Sequence, residues 1–215
     1  EGGQYFTWIV SDGEIEWKDI DLAVNSNIAN LLSQFDIELP NLVHYIENAI
    51  VNNNIKSRYY PTSVPVAYFI SRWYQGREKK ELVKSLMRMY RKKSSTIMDK
   101  ILIATSLLRL GETDNKYVSE TVEMISRKPS IVFEPFPFYR GVNPTDDKLI
   151  YFAGSMYLTT AFAIELLTLW SHKSINDSDV SSTNKYLASI NERVFNEVGA
   201  ELKCAGGAIA DFGSK

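Results

Sequence analysis

The sequence predicts an all-α protein built as two concentric layers of helices, an α/α toroid that is partial or complete. Three observations lead there: two kinds of apolar segment alternate along the chain, corresponding points recur at hairpin spacing, and one proline-rich stretch near 131–153 interrupts the pattern. Segments 22–32, 64–74, 97–110 and 157–170 are apolar nearly all the way round, so as helices they must be enclosed. Segments 42–51, 79–91 and 117–125 confine their apolar residues to one stripe, such as Leu42, Val43, Ile46, Ala49 and Ile50 in the first. The former read as inner helices and the latter as outer ones.

The starts of inner helices at Asp21, Val64, Ile97 and Tyr157 lie 33 to 60 residues apart, the spacing of a repeating helical hairpin. An open solenoid would leave a polar stripe on its concave helices, and these have almost none. Three hairpins and one further inner helix are too few for the usual closed ring, so the remaining hairpins are expected to be absent from the sequence.

The boundaries agree, element by element. Asp19 and Asp21 precede the first inner helix, where carboxylates are favoured by the helix dipole. Thr62 or Ser63 can cap the helix that opens with Val64 and Pro65, and Ser155 can cap the last inner helix. Gly76 and Gly111 each follow a helix and are expected to take the left-handed conformation that closes it. FEPFPFYRG, 133–141, alternates large aromatics among prolines and reads as an edge strand or hairpin, with 148–152 as its partner. Residues 171–183 are polar and turn-rich, a linker, and 184–203 resumes a helical period that either docks back or opens a further domain.

Composition narrows the function. With 215 residues, 45% of them hydrophobic, the chain can bury a core. A net charge of −2 gives no global pull towards nucleic acid. One cysteine, Cys204, and two histidines, His44 and His172, exclude a disulfide framework and leave no thiolate- or His-rich metal cluster, so neither metal nor cofactor is expected. No stretch approaches the roughly 18 apolar residues of a membrane span, and 1–10 lacks the basic start of a signal peptide, so the expectation is a soluble, cytoplasmic chain. A beginning at Glu1 without Met suggests a piece of a longer protein.

Two clusters could carry chemistry. Asp19 and Asp21, with Asn25 and Asn27 on the following helix, are either a charged cap with satisfied amides or an acid/base pair at the mouth of a central cavity. Tyr60, Tyr68 and Trp73, joined by Tyr139 from the proline-rich stretch, are either plain core or the wall of an apolar pocket. Arg72 sits among them and needs an acidic partner, with Asp19, Asp21 and Glu165 the candidates. Thr159 and Thr160 can satisfy themselves on the preceding helical turn.

At these residues the chain resembles the α/α-toroid superfamily of terpenoid (squalene/hopene) cyclases and protein prenyltransferase β-subunits. It is similar in particular to bacterial prenyltransferase or squalene oxidase repeat proteins. The stretches that carry the likeness are GGQYFTW (2–8), DIDLAVNSNIANLL (19–32), YYPTSVPVAYFISRWYQG (59–76) and GSMYLTTAFAIELL (154–167). The resemblance implies an apolar central cavity for an isoprenoid-like molecule. It also implies an Asp-x-Asp-Asp acid motif, of which Asp19 and Asp21 match the first two members while Leu22 stands for the third. The zinc set of the prenyltransferases has no counterpart near Asp19. Three functions therefore stand open: a binder of, or enzyme on, an apolar small molecule; a non-catalytic scaffold for a protein partner or further domains; and a six-hairpin carbohydrate-active enzyme, which needs two carboxyls about 5–9 Å apart.

Overall fold

A computed structural model describes residues 3–9, 18–128, 133–143 and 146–174. They form α1 (Leu22–Ser33), α2 (Pro40–Val51), α3 (Val64–Ser71), α4 (Lys79–Tyr90), α5 (Ile97–Arg109), α6 (Lys116–Ser126), strands β1 (Tyr139–Asn143) and β2 (Asp146–Ala153), and α7 (Met156–Ser174). The protein is thus mostly helical with one small sheet. Every helix expected from periodicity within the described residues is present. Gly206, Gly207, Cys204 and the expected helix at 184–203 lie outside the described residues.

The helices sort into two rows. α1 packs on α3, α3 on α5 and α5 on α7, while α2 packs on α1, α4 mainly on α5 and less on α3, and α6 on α5. The row of odd-numbered helices is the apolar one. All eight residues of α3 are buried, and so is the run Ile101–Leu107 of α5. α2, α4 and α6 bury one stripe each, such as Leu82, Val83, Leu86 and Met89 in α4. Complete burial of an Ile or Leu side chain contributes about 1.5–3 kcal/mol, and Leu82, Leu86, Ile101, Leu102 and Ile103 are among those with no exposure at all.

The flanking members of the inner row are less enclosed than their sequences suggest. α7 buries Thr159, Thr160, Ala163, Leu166, Leu167 and Ser171 and leaves Tyr157, Ala161 and Thr168 exposed. α1 exposes Leu31. Among the strong pairings, α1 and α7 each meet one inner neighbour, whereas α3 and α5 each meet two. An apolar helix at the side of a row keeps one side wet.

The caps are mostly as expected. Asp21 accepts from the backbone N–H groups of Ala23 and Val24 at 2.9 and 3.3 Å, capping α1. Thr96 and Asp99 form a reciprocal capping box on α5. Ser63 precedes α3 but makes no side-chain cap; Thr62 Oγ1 accepts from Val64 N–H instead, at 3.3 Å. Ser155 Oγ accepts from Tyr157 N–H at 3.2 Å at the start of α7.

Helix ends bring one correction. Gly111 (φ 79°) takes the left-handed position after α5, and Glu112 N–H reaches back to the Leu107 carbonyl at 2.9 Å. Gly76 does not take it. Its lack of a side chain serves the Tyr74 ring, which folds so close that a Cβ on residue 76 would lie 2.6 Å from it. The left-handed closures of α1 and α2 fall on Asp36 (φ 55°) and Asn53 (φ 50°), residue types whose short polar side chains tolerate that region.

β1 and β2 pair antiparallel with Tyr139 opposite Ala153 and Arg140 opposite Phe152, close to the expected hairpin. Two contacts dock it. Arg140 N–H donates to the Tyr59 carbonyl at 2.8 Å, and Phe133, 1% exposed, donates its N–H to Thr160 Oγ1 at 3.3 Å. Thr159 satisfies itself on the Ser155 carbonyl as expected, but Thr160 serves the incoming loop. α7 runs on to Ser174, so the segment after Trp170 is helical for four residues before any linker can begin. His44 and His172 are exposed, as the sequence suggests. Among the described residues no helix is long and apolar enough to cross a membrane.

Truncating the middle of the inner row tests this packing. Leu102→Ala is expected to cost about 2–5 kcal/mol, the range for a buried Leu whose surroundings collapse only in part, whereas Leu31→Ala is expected to change stability by less than about 0.5 kcal/mol. Urea denaturation followed by circular dichroism measures both.

Candidate functional site

Asp19, Asp21 and Asn25 come together at the start of α1. Asp21 is 5% exposed. Burial pushes its carboxyl above the ordinary value of 3.8, against hydrogen bonds from Ser57, Val24 and Ala23 that hold it down, with the Asp19 charge adding to the rise. Asp19 Oδ2 accepts the Tyr59 hydroxyl at 3.0 Å, while its Oδ1 is buried without a hydrogen-bond partner. The fully buried Asn25 holds the N-terminal segment: its Oδ1 accepts from Tyr5 N–H at 2.8 Å and its Nδ2 donates to the Tyr5 carbonyl at 2.9 Å. Nδ2 also reaches the Asp21 carbonyl at 2.9 Å.

The carboxylates border a cleft of about 460 Å3 whose other walls are the outer helix α2, through Tyr45 and Asn48, and the segment 52–58 with Arg58. No residue of α3, α5 or α7 lines it. The pair therefore opens onto the α1–α2 side of the molecule, a position that helical periodicity alone does not distinguish from the centre.

The second cluster forms largely as the sequence suggests. Tyr60 meets Phe69 at 5.3 Å between ring centroids, Phe138 at 5.4 Å and Tyr139 at 6.4 Å, all edge to face. Tyr68 meets Phe162 of α7 at 5.3 Å, and Phe138 meets Phe162 at 5.4 Å. Burial pushes the Tyr60 phenol up to about 12, with the Asp21 charge next in effect. Tyr68 is raised further, first by burial and then by its hydrogen bond to Glu165. The rings fill the space between themselves. Tyr60, Phe138, Tyr139 and Phe162 are only half-buried, and Tyr139 passes the cluster on to the exposed Tyr151 at 6.3 Å.

Trp73 stands apart, edge to face on Tyr74 at 5.5 Å, with its buried Nε1 unpartnered. Arg72 does not take any of the acidic partners expected for it. α3 stops at Ser71, so Arg72 lies at its C-cap, exposed, and donates to Asn27 Oδ1 at 3.4 Å. Glu165 is claimed by Arg109, whose Nε and Nη2 reach its Oε1 at 3.2 and 2.6 Å, while the Tyr68 hydroxyl donates to Oε2 at 2.7 Å. Sequence reasoning missed Arg109. The signal was an arginine in the last turn of α5, which also reads as an ordinary helix-end cation.

Compared with known proteins, the chain matches no family model, no curated protein and no solved structure.

The linkage of Asp21 has a defined sign. Its carboxyl binds a proton more tightly in the folded chain than in the unfolded one, so stability falls as pH rises through the interval just above 3.8. Asp21→Asn keeps a capping oxygen and removes that dependence; it is expected to match or exceed the parent at pH 7 and to show a flatter stability profile between pH 3 and 6. Asp21→Ala loses the cap and is expected to cost about 1 kcal/mol. Urea midpoints measured across that pH range check both.

Proposed function

We propose that this chain is an arc of a terpenoid-cyclase-like α/α toroid that binds an apolar, isoprenoid-like molecule without protonating it. The observation that carries the reading is the ring cluster of Tyr60, Tyr68, Phe138, Tyr139 and Phe162, in which Tyr68 is buried and the other four are half-buried, continuing into exposed Tyr151. Ring faces and edges of this kind give an apolar chain large contact area at small entropic cost, and their hydroxyls stay protonated at physiological pH. An incoming ligand would exchange ring–ring contacts for ring–ligand ones at the half-buried members. Trp73 and Arg72 would lie at the margin of such a site, since neither joins the cluster.

The acid of a cyclase is the missing part. A general acid needs a free proton aimed at its substrate. Asp21 instead caps α1, Asp19 takes the Tyr59 hydroxyl, and both line a cleft on the α2 side. Arrangement of the helices in two rows supports the toroid reading, because α1, α3, α5 and α7 pack in succession and α2, α4 and α6 pack against them.

A second reading, a scaffold for a protein partner, is favoured by one observation: Leu31, Phe35 and Ile37 follow one another to the surface at the end of α1, with 54%, 68% and 48% exposure. Gel filtration separates the two, since a scaffold of this kind elutes as a self-associating or partner-bound species at micromolar concentration and a ligand binder as a monomer.

Tyrosine and tryptophan fluorescence with thermal melts tests the primary reading. Squalene and a prenyl alcohol are each expected to raise Tm and change the emission, Tyr60→Ala and Phe162→Ala to weaken binding about tenfold or more by removing ring contact, and Asp19→Asn to leave binding unchanged. Absence of any ligand-dependent shift in the parent chain refutes it.

A further inference from the structure

We infer that the cavity between the starts of α3 and α5 is a binding site for a small phosphate-bearing anion. It encloses about 360 Å3 between the segment before α3, the turn before α5 and strand β1. Three cationic side chains line it: Lys56, Lys92 and Arg140. Between them the wall carries Ser57, Thr62, Ser63, Ser94 and Ser95 alongside apolar residues such as Val64 and Met89. A neighbouring cavity of about 200 Å3 shares Lys56 and Lys92 and adds Arg88. Positive charge is thus gathered at one place on a chain whose net charge is −2.

Asp99 is the one carboxylate on the wall, and its oxygens are occupied. Oδ1 accepts the Thr62 hydroxyl at 3.0 Å; Oδ2 accepts the backbone N–H and the hydroxyl of Thr96 at 2.9 and 3.0 Å. It completes the cap of α5 and does not pair with a cation. Among the described residues no carboxylate forms a salt bridge with Lys56, Lys92 or Arg140. Like charges that converge on a shared concavity raise its potential, and an anion offsets their repulsion.

Two further features point the same way. Ser95, on the same wall, keeps its Oγ buried with no hydrogen-bond partner, a donor that an entering oxygen would satisfy. The start of α3 borders the cavity at Ser63–Val64 and brings the partial positive charge of a helix start, whereas that of α5 is already offset by its capping Asp99. Phosphate suits this set. It carries up to two charges and several acceptor oxygens, for which lysines supply point charges, Arg140 a planar fork and the hydroxyls short donors. The inference uses none of the ring contacts and stands whether or not an apolar ligand binds.

Thermal melts of the full chain with rising inorganic phosphate, pyrophosphate or glycerol phosphate, at ionic strength held constant with chloride, test it. A saturable rise in Tm is expected, with binding about tenfold weaker in Lys56→Ala/Lys92→Ala and in Arg140→Ala, as for loss of charge-assisted hydrogen bonds. Lys84→Ala, which removes an exposed lysine paired with Glu81 at 2.6 Å, is expected to leave binding unchanged. Tighter binding of glycerol phosphate than of inorganic phosphate assigns an organic ester as the ligand, and equal affinity assigns the free anion. Lys56 and Lys92 are exposed, so their variants keep the fold, which circular dichroism verifies; Lys92→Met, which keeps most of the side-chain stem without its charge, gives the same reading independently. No saturable rise with any of the three anions, or an equal rise in the lysine variants, overturns the proposal.

Discussion

The structure depends on two helices that have no side fit for water. α3 buries every residue, and α5 buries seven in succession, including Ile101, Leu102 and Ile103 at zero exposure. Such helices cannot exist at a surface, so each needs neighbours round its whole circumference. α3 has α1, α4 and α5; α5 has α3, α4, α6 and α7. The stripes on α4 and α6 are the other half of the same requirement. Polar residues inside this core are small and hydrogen-bond within their own helix. The hydroxyls of Thr105 and Ser106 donate to the carbonyls of Ile101 and Leu102, four residues back, at 2.9 and 2.7 Å. Ser71 donates to the Tyr68 carbonyl at 2.8 Å. Self-satisfaction of this kind lets inner helices pack without leaving an orphan donor between them.

Most of the fold was legible because helix period, caps and hairpin spacing are local signals. What escaped was set by neighbours. Segment 157–170 looks as apolar as 64–74, yet α7 exposes Tyr157 and Thr168 while α3 exposes nothing, because position in the row, not composition, decides enclosure. Gly76 and Gly111 look alike in sequence, each just after an apolar helix. Only Gly111 turns left-handed, since the ring of Tyr74 occupies the space beside Gly76, and its hydroxyl bridges Glu47 and the N–H of Glu78.

The candidate site was legible in its members and not in their partners. Tyr60 and Tyr139 meet directly, and Tyr68 joins them through Phe69, Phe138 and Phe162, whose contacts cross from α3 to the hairpin and to α7. Arg72 was expected to be buried because its neighbours in sequence are apolar. It escapes by lying at the helix end, where the chain turns outward, and the half-buried carboxylate of Glu165 is left to Arg109 from the next inner helix.

The stretch that most resembles an acid motif works as a joint. Thr7 N–H donates to the Asp19 carbonyl at 2.9 Å, and Asn25 grips the backbone of Tyr5 from the second turn of α1. Trp8 Nε1 donates to the Tyr59 hydroxyl at 2.8 Å, and that hydroxyl donates onward to Asp19. The carbonyl of Tyr59 in turn receives Arg140 N–H from β1. One tyrosine therefore ties the N-terminal segment, the entry to α1 and the hairpin to a single point, with Asp19 accepting the hydrogen bond that orients it. Burial and the Asp19 hydrogen bond keep the Tyr59 phenol up near about 12, protonated and able to donate. An aspartate that accepts that bond, beside another that caps a helix start, holds three chain segments in register.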